Sequence, residues 1–225
     1  MVPTMVLVAD DSRDSQRGKA LRGLAEAVAE RGEAPVVPAF GDTDEVNAAL
    51  RGVHGPKVVV PAFVAGGDVD SAHMFSEVDL SRLEDACHTE PLGAVPSIVA
   101  DLAGRLTDVG WSRNDGVVLA ADGTTNAEER SIVTDVARML SRRLDSPVQV
   151  GYLRTWAPSV SDAVRRLRRN GHDEVAVASW RLVDGPDFDL LDELDVTAIT
   201  APLWPSDLVV DTLLAQHRAA KMRLV

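Results

Sequence analysis

The sequence predicts an α/β protein built from two tandem, pseudo-twofold-related α/β/α halves, each with a parallel sheet. Three observations predict it. Short apolar runs alternate with amphipathic segments along all 225 residues, the pattern of parallel strands joined by right-handed crossovers. The stretch Val6-Leu7-Val8-Ala9-Asp10-Asp11-Ser12-Arg13-Asp14 runs from an apolar strand into two acids and a hydroxyl, and Val117-Val118-Leu119-Ala120-Ala121-Asp122-Gly123-Thr124-Thr125 does so again. Finally, the spacings repeat: Asp10 and Asp122 are 112 positions apart, and so are Pro35 and Pro147. The halves are expected at residues 1–110 and 115–225, joined by a linker from Val109 to Asn114.

Taken in order, Thr4 to Ala9 reads as a buried strand. Arg17 to Glu30 carries Leu21, Leu24, Ala25 and Val28 at helical spacing and stops at Gly32 and Pro35. Pro35 to Phe40 is a second strand. Asp44 to Leu50 is a helix with Thr43 as its cap. Lys57 to Val64 is a third strand, its dense valines suited to burial on both faces. It leads into Ala65-Gly66-Gly67-Asp68-Val69-Asp70, where paired glycines permit close backbone approach or positive φ, as a ligand loop needs. Glu77 to Cys87 and Pro96 to Val109 read as helices.

The second half repeats the pattern. Gly116 to Ala121 is a strand, and Glu128 to Leu144 a helix with acids at its start and arginines at its end, matching the macrodipole. Pro147 to Leu153 is a strand, Pro158 to Asn170 a helix ended by Gly171, and Glu174 to Trp180 a strand running into Val183-Asp184-Gly185-Pro186-Asp187. Val196 to Ile199 is a short strand, and Leu208 to Ala220 the last helix. Ligands of open α/β sheets gather outside the carboxyl ends of the strands. The loops around Asp10, Asp68, Asp122 and Asp187 are therefore expected to line one cleft between the halves.

Composition excludes several classes. The net charge of −12 argues against a nucleic-acid or anionic-membrane surface, which needs clustered Lys and Arg. The one cysteine, Cys87, excludes an internal disulfide and any CxxC motif, and fits a reducing, cytoplasmic setting. No basic segment precedes an apolar core and cleavage site, and no run approaches the roughly 20 apolar residues of a membrane span. A GxxxxGK[ST] loop, a GxGxxG after the first strand and a GxSxG around Ser12 are all absent, so no nucleotide and no serine hydrolysis are expected.

The chemistry lies in the strand-end carboxylates. Asp10 and Asp11 suit a hard cation, a proton or a cationic ligand, although Asp11 or Ser12 equally suits the cap of the next helix. Asp68 and Asp70 follow glycines that also suit a solvated turn, and Asp122-Gly123 is ordinary turn chemistry as well. Of the five histidines, His73 alone falls in an expected site loop; His54, His88, His172 and His217 read as surface residues. Arg165, Arg166, Arg168 and Arg169 read as a solvated helix end. Trp180 and Trp204 follow strands and suit either stacking or the core.

Together these stretches resemble the class II chelatase family, specifically the short sirohydrochlorin chelatases that insert Fe²⁺ or Co²⁺ into a tetrapyrrole. VLVADDSRD is similar to the family's opening strand and its A-H-G-S-R-D turn. VVVPAFVAGGD is similar to the V-V-V-P strand that leads to a second histidine, and PLGAVPSIVADLAGRL to the P-L-G segment and its helix. VLAADGTT, PVQVGYL, PSVSDAVRRLRRNG, EVAVASWRLVDGPDF and APLWPSDLVVDTLLAQHRAA each have counterparts in the second half. The resemblance implies the chelatase-like fold and a macrocycle between the halves.

It also implies a site. Asp10 and Asp68 fall where the family has its two metal-binding histidines, so they are the expected catalytic and metal-binding residues, with His73 as a substitute ligand. Asp11, Ser12, Gly66, Gly67, Asp122 and Thr124 are the expected substrate contacts. The implied cofactor is the substrate metal, Co²⁺ or Fe²⁺. The implied partner is a tetrapyrrole, handled by a monomer or homodimer with no nucleic acid and no membrane. Imidazole suits Fe²⁺ and Co²⁺ and carboxylate suits harder ions, so two functions stand side by side. One is a chelatase-type lyase with a carboxylate site. The other is a non-catalytic descendant that binds a tetrapyrrole, a metal or a partner protein. A different enzyme using Asp10, Asp11 and Asp68 as an acid cluster is a third reading.

Overall fold

The computed structural model describes residues 2–12, 14–123, 126–154, 156–185 and 189–224. Its elements follow one another as β1 (Thr4–Ala9), α1 (Ser15–Arg31), β2 (Val36–Phe40), α2 (Thr43–Gly52), β3 (Lys57–Pro61), α3 (Val69–Glu77), β4 (Ala86–His88) and α4 (Pro96–Asp108). The series then repeats as β5 (Gly116–Ala121), α5 (Ala127–Leu144), β6 (Val148–Tyr152), α6 (Val160–Arg169), β7 (Val175–Ser179), α7 (Asp189–Asp192), β8 (Ala198–Ile199) and α8 (Asp207–Lys221). Two four-stranded sheets result, ordered β2-β1-β3-β4 and β6-β5-β7-β8, with every pairing parallel. The expected α/β class and the repeat are both present.

The two compact units do not follow the sequence halves. One comprises Met1–Phe63, Asp70–Leu92 and Trp204–Val225; the other comprises Val64–Val69 and Gly93–Leu203. Helix α8 thus belongs with the first sheet and α4 with the second, and both cross the expected division at residues 110–115.

In the first unit, Val6, Val8 and Val59 pack with Val46 and Leu50 of α2 and Met74 of α3. The alternate residues Met5, Leu7 and Val58 face the other side, where α1 packs on β2 and on α8, and α8 packs on β3 and β4. In the second unit, Val118, Ala120, Val175 and Val177 pack with Val160, Ala163, Val164 and Leu167 of α6. There α4 packs on α5 and β7, and α5 on β6. No described helix is long and apolar enough to cross a membrane.

Local differences from the sequence reading have physical causes. The helix expected over Glu77 to Cys87 is absent. Helix α3 instead starts at Val69, inside the expected loop, and ends at Glu77. A 3₁₀ turn at Leu80–Arg82 follows, and Asp85, at φ 49°, turns the chain into β4. The apolar spacing of Val78, Leu80 and Leu83 suits a helix, but those residues cover the edge of the α2–α3 cluster from a turn. Helix α2 is capped by Asp42, not Thr43, in a capping box with Glu45, and α1 by Asp14, not Asp11 or Ser12.

Candidate functional site

At the carboxyl end of β1, Asp10 is half-buried and its side chain closes a turn. Its Oδ1 accepts the Ser12 backbone N–H at 2.8 Å and the Ser12 hydroxyl at 2.6 Å. Beneath it, the Asp10 N–H donates to Ser71 Oγ at 2.9 Å, and Arg17 Nη2 donates to the same oxygen at 3.0 Å. Arg17 Nε also donates to the Asp10 carbonyl at 2.5 Å. Arg17 and Ser71 are buried, so the end of β1 is clamped by α1 and α3 while the Asp10 carboxylate stays at the surface. Arg17 and Ser71 escape sequence reasoning because their partner is backbone; a charged residue on the apolar side of α1, beside Leu21, was the available signal.

Asp11 turns away from this edge. Its carboxylate lies over α1, 3.5 Å from Arg22 Nη1, so close that a Cβ on Gly18 would come within 2.8 Å of it. Burial raises its carboxyl above the ordinary value, with Arg22 opposing. Asp11 and Gly18 therefore form a helix contact, and Ser12 is exposed.

At the carboxyl end of β5 the arrangement is different. Asp122 is buried, and its Oδ2 accepts the Val69 N–H at 3.1 Å. Its Oδ1 faces Arg181 Nη2 at 3.2 Å and Arg154 Nε at 3.9 Å. Arg181, two residues beyond β7, is 4% exposed. Burial raises the Asp122 carboxyl, while Arg181, the Val69 hydrogen bond and Arg154 oppose the rise and Asp68 adds to it. Asp122 Oδ1, Arg181 Nη1 and Ser179 Oγ lack hydrogen-bonded partners among the described residues. The sequence reading missed Arg181; its place directly after Trp180, at the carboxyl end of the strand beside β5, was the signal.

The segment 64–69 is laid over this strand end. Gly123 N–H donates to the Gly66 carbonyl at 2.9 Å, Gly66 N–H donates to Glu129 Oε2 at 3.1 Å, and Trp180 Nε1 donates to the Ala65 carbonyl at 2.9 Å. Gly66 has φ +72°, and a Cβ on Gly67 would meet Val64 Cγ2 at 2.2 Å and the Trp180 carbonyl at 2.3 Å. The freedom of both glycines is used to seat protein on protein, and both are buried. Asp68 is buried in the same segment and engaged by neighbouring groups. Trp180 is wholly buried, and Trp204 lies near Gly23.

His73 is a surface residue of α3, its Nε2 3.5 Å from Glu77 Oε1. It stands two positions from Ser71, and residues so spaced on a helix do not share a face, so it does not join Asp10. Among the described residues no three His, Cys, Asp or Glu side chains are grouped to hold a metal ion, and Asp10, Asp68 and His73 form no such group. Thr124 and Asp187 lie outside the described residues. His217, expected at the surface, is buried, with Nε2 3.1 Å from the Pro3 carbonyl. Arg165 and Arg168 pair with Asp162 and Asp195 along the surface of α6.

One further group borders the second strand end. Tyr152, the last residue of β6, pairs in register with Ala121 and packs edge-on against Trp156 at 5.2 Å between centroids. The Arg130 guanidinium lies 5.2 Å from the Trp156 ring and 6.0 Å from Tyr152, and its Nη2 donates to the Ala157 carbonyl at 3.3 Å.

Two parallel sheets in a tandem repeat, with polar groups gathered at the ends of β1 and β5, make up the chelatase-like fold. The expected resemblance to the class II chelatases is borne out: residues 116–214 match the CbiX family model. Three solved structures share the fold. SirB from Bacillus subtilis with Fe³⁺ is 16% identical, with 97% of this chain and 95% of that one covered and a TM-score of 0.78. The sirohydrochlorin chelatase SirB from Bacillus subtilis subspecies spizizenii, in complex with cobalt, is 15% identical over 97% and 94%, with a TM-score of 0.71. CbiX, the terminal enzyme for biosynthesis of siroheme in denitrifying bacteria, is 18% identical over 97% and 99%, with a TM-score of 0.68. No curated protein matches the sequence.

Proposed function

We propose that this chain binds a sirohydrochlorin-like tetrapyrrole at its strand ends, as a chelatase-like protein in which carboxylates stand where the family's imidazoles do. The fold and the CbiX match support the ligand class. The observation that carries the non-catalytic side of the reading is the state of the donors. Asp68 is buried and engaged, Asp122 is buried against Arg181, and His73 points elsewhere. Insertion of Fe²⁺ or Co²⁺ needs ligands soft enough for the metal and a base for the pyrrole protons. The described residues offer no grouped donors for such an ion. We place the protein in the cytoplasm, where the single free cysteine, Cys87, would stay reduced.

Metal insertion is the second reading, and the half-exposed Asp10 favours it. Its carboxylate is pre-positioned by Ser12, and Arg17 holds the Asp10 backbone beneath it, so the carboxylate is ready to meet a cation. One experiment decides between the two. Sirohydrochlorin titrated into the protein should show saturable changes in absorbance. Added Co²⁺ or Fe²⁺ should then enter the macrocycle no faster than without protein. Absence of binding would remove the tetrapyrrole reading. Accelerated insertion that is lost in Asp10→Ala would establish the carboxylate chelatase instead.

A further inference from the structure

We propose that Arg130, seated on Trp156 and Tyr152, anchors a carboxylate arm of the bound macrocycle; this rests on the tetrapyrrole reading and adds a residue to it. The argument starts from charge. A chain of net charge −12 repels a polyanionic ligand at long range, so a local cation has to receive the ligand's carboxylates. Three arginines border the carboxyl end of the second sheet. Arg181 is buried against Asp122, and Arg154 stands 3.9 Å from the same carboxylate. Arg130 is different: it is exposed, and among the described residues no carboxylate pairs with it.

The seating of Arg130 is also built. The Trp156 and Tyr152 rings lie within cation–π range of its guanidinium, and the Ala157 carbonyl takes one N–H. That contact holds the planar fork in one orientation and leaves further donors for an incoming carboxylate, which guanidinium can take bidentately. Tyr152 is itself buried, its phenol raised by burial and opposed by Arg130. Trp156 is only partly buried, so the indole offers an aromatic edge to a planar ligand beside the cation that receives its arm. Its place after β6 is on the sheet edge where α/β ligands bind.

The test is a titration of sirohydrochlorin into the full chain, followed by tryptophan quenching and macrocycle absorbance at low and high salt. Arg130→Gln should weaken binding about tenfold, the loss of one charge-assisted contact, and should flatten the salt dependence. Arg130→Lys should fall between, keeping the charge without the fork. Trp156→Leu should weaken binding several-fold and reduce the quenching, while Arg165→Gln on α6 should match wild type. Thermal melts confirm folding of each variant. Wild-type binding with Arg130→Gln unchanged at both salts overturns this assignment and spares the tetrapyrrole reading. No binding by wild type overturns both.

Discussion

The ends of β1 and β5 occupy corresponding places in the repeat, and both carry an aspartate directly after the strand. Asp10 stays at the surface with a hydroxyl as partner, over a buried Arg17–Ser71 clamp that holds backbone. Asp122 is inside, against a buried arginine, under a segment that covers it. The same residue at the same point of the same motif is thus a solvent-facing group in one unit and a structural ion pair in the other. What differs is the covering. Segment 64–69 brings backbone N–H groups and Trp180 contacts to β5, and a carboxylate sealed there needs a cation.

The largest effect should separate the two aspartates. Asp122→Ala leaves Arg181 buried and unpaired and should cost about 3–5 kcal/mol, whereas the surface change Asp10→Ala should cost about 1 kcal/mol or less. Urea midpoints measure both, and equal losses would erase the distinction. A double change, Asp122→Leu with Arg181→Met, should recover much of the first loss, since a buried pair replaced by apolar groups is often neutral.

Next in size is the covering segment itself. A Cβ on Gly67 meets backbone and side chain below 2.5 Å, so Gly67→Ala should cost about 1–3 kcal/mol. Gly104 on α4 meets nothing within 4 Å, and Gly104→Ala should be neutral or stabilise by about 0.5–1 kcal/mol.

A subtler difference lies in pH. The Asp122 carboxyl is raised in the folded protein above 3.8, with burial the leading cause. The folded state therefore holds this proton more tightly than the unfolded chain, and its contribution to stability falls as pH rises from that value through the folded one. Midpoints of wild type and Asp122→Asn between pH 3.5 and 7 should converge or cross as pH rises; a constant gap would mean that Asp122 titrates alike in both states. The smallest effect is expected at Ser12→Ala, about 0.5 kcal/mol from the one exposed hydroxyl hydrogen bond to Asp10 that the change removes, since the backbone N–H bond to the same carboxylate is kept.

Much of this architecture was legible in the chain. The apolar runs located seven strands, and the 112-residue offset showed that Asp10 and Asp122 are equivalent. Strand β4 was not legible, because three residues at a sheet edge carry too little pattern to outweigh the helical spacing before them. Nor was the fate of the site. Gly66-Gly67 announces that something approaches the backbone, but not that it is Trp180 and not a ligand. An aspartate after a strand announces a carboxylate at the edge, but its partner Arg181 is 59 positions away and becomes visible only when β7 is laid beside β5. His217 hid for a related reason: its acceptor, the Pro3 carbonyl, lies at the other end of the chain.

The exchange of helices has a consequence in time. Helix α8 packs on β3, β4 and α1, yet it is synthesised after all the other described helices. While a ribosome is making everything from α4 to α7, the first sheet waits with the β3–β4 part of one apolar face uncovered, and the second unit, whose own α4 arrives early, can finish first. The carboxyl-terminal unit should therefore become protease-resistant before the amino-terminal one. A nascent chain stalled at Ser206 should be cut in β1–α3 and spared in β5–β7, and the reverse pattern would refute that order.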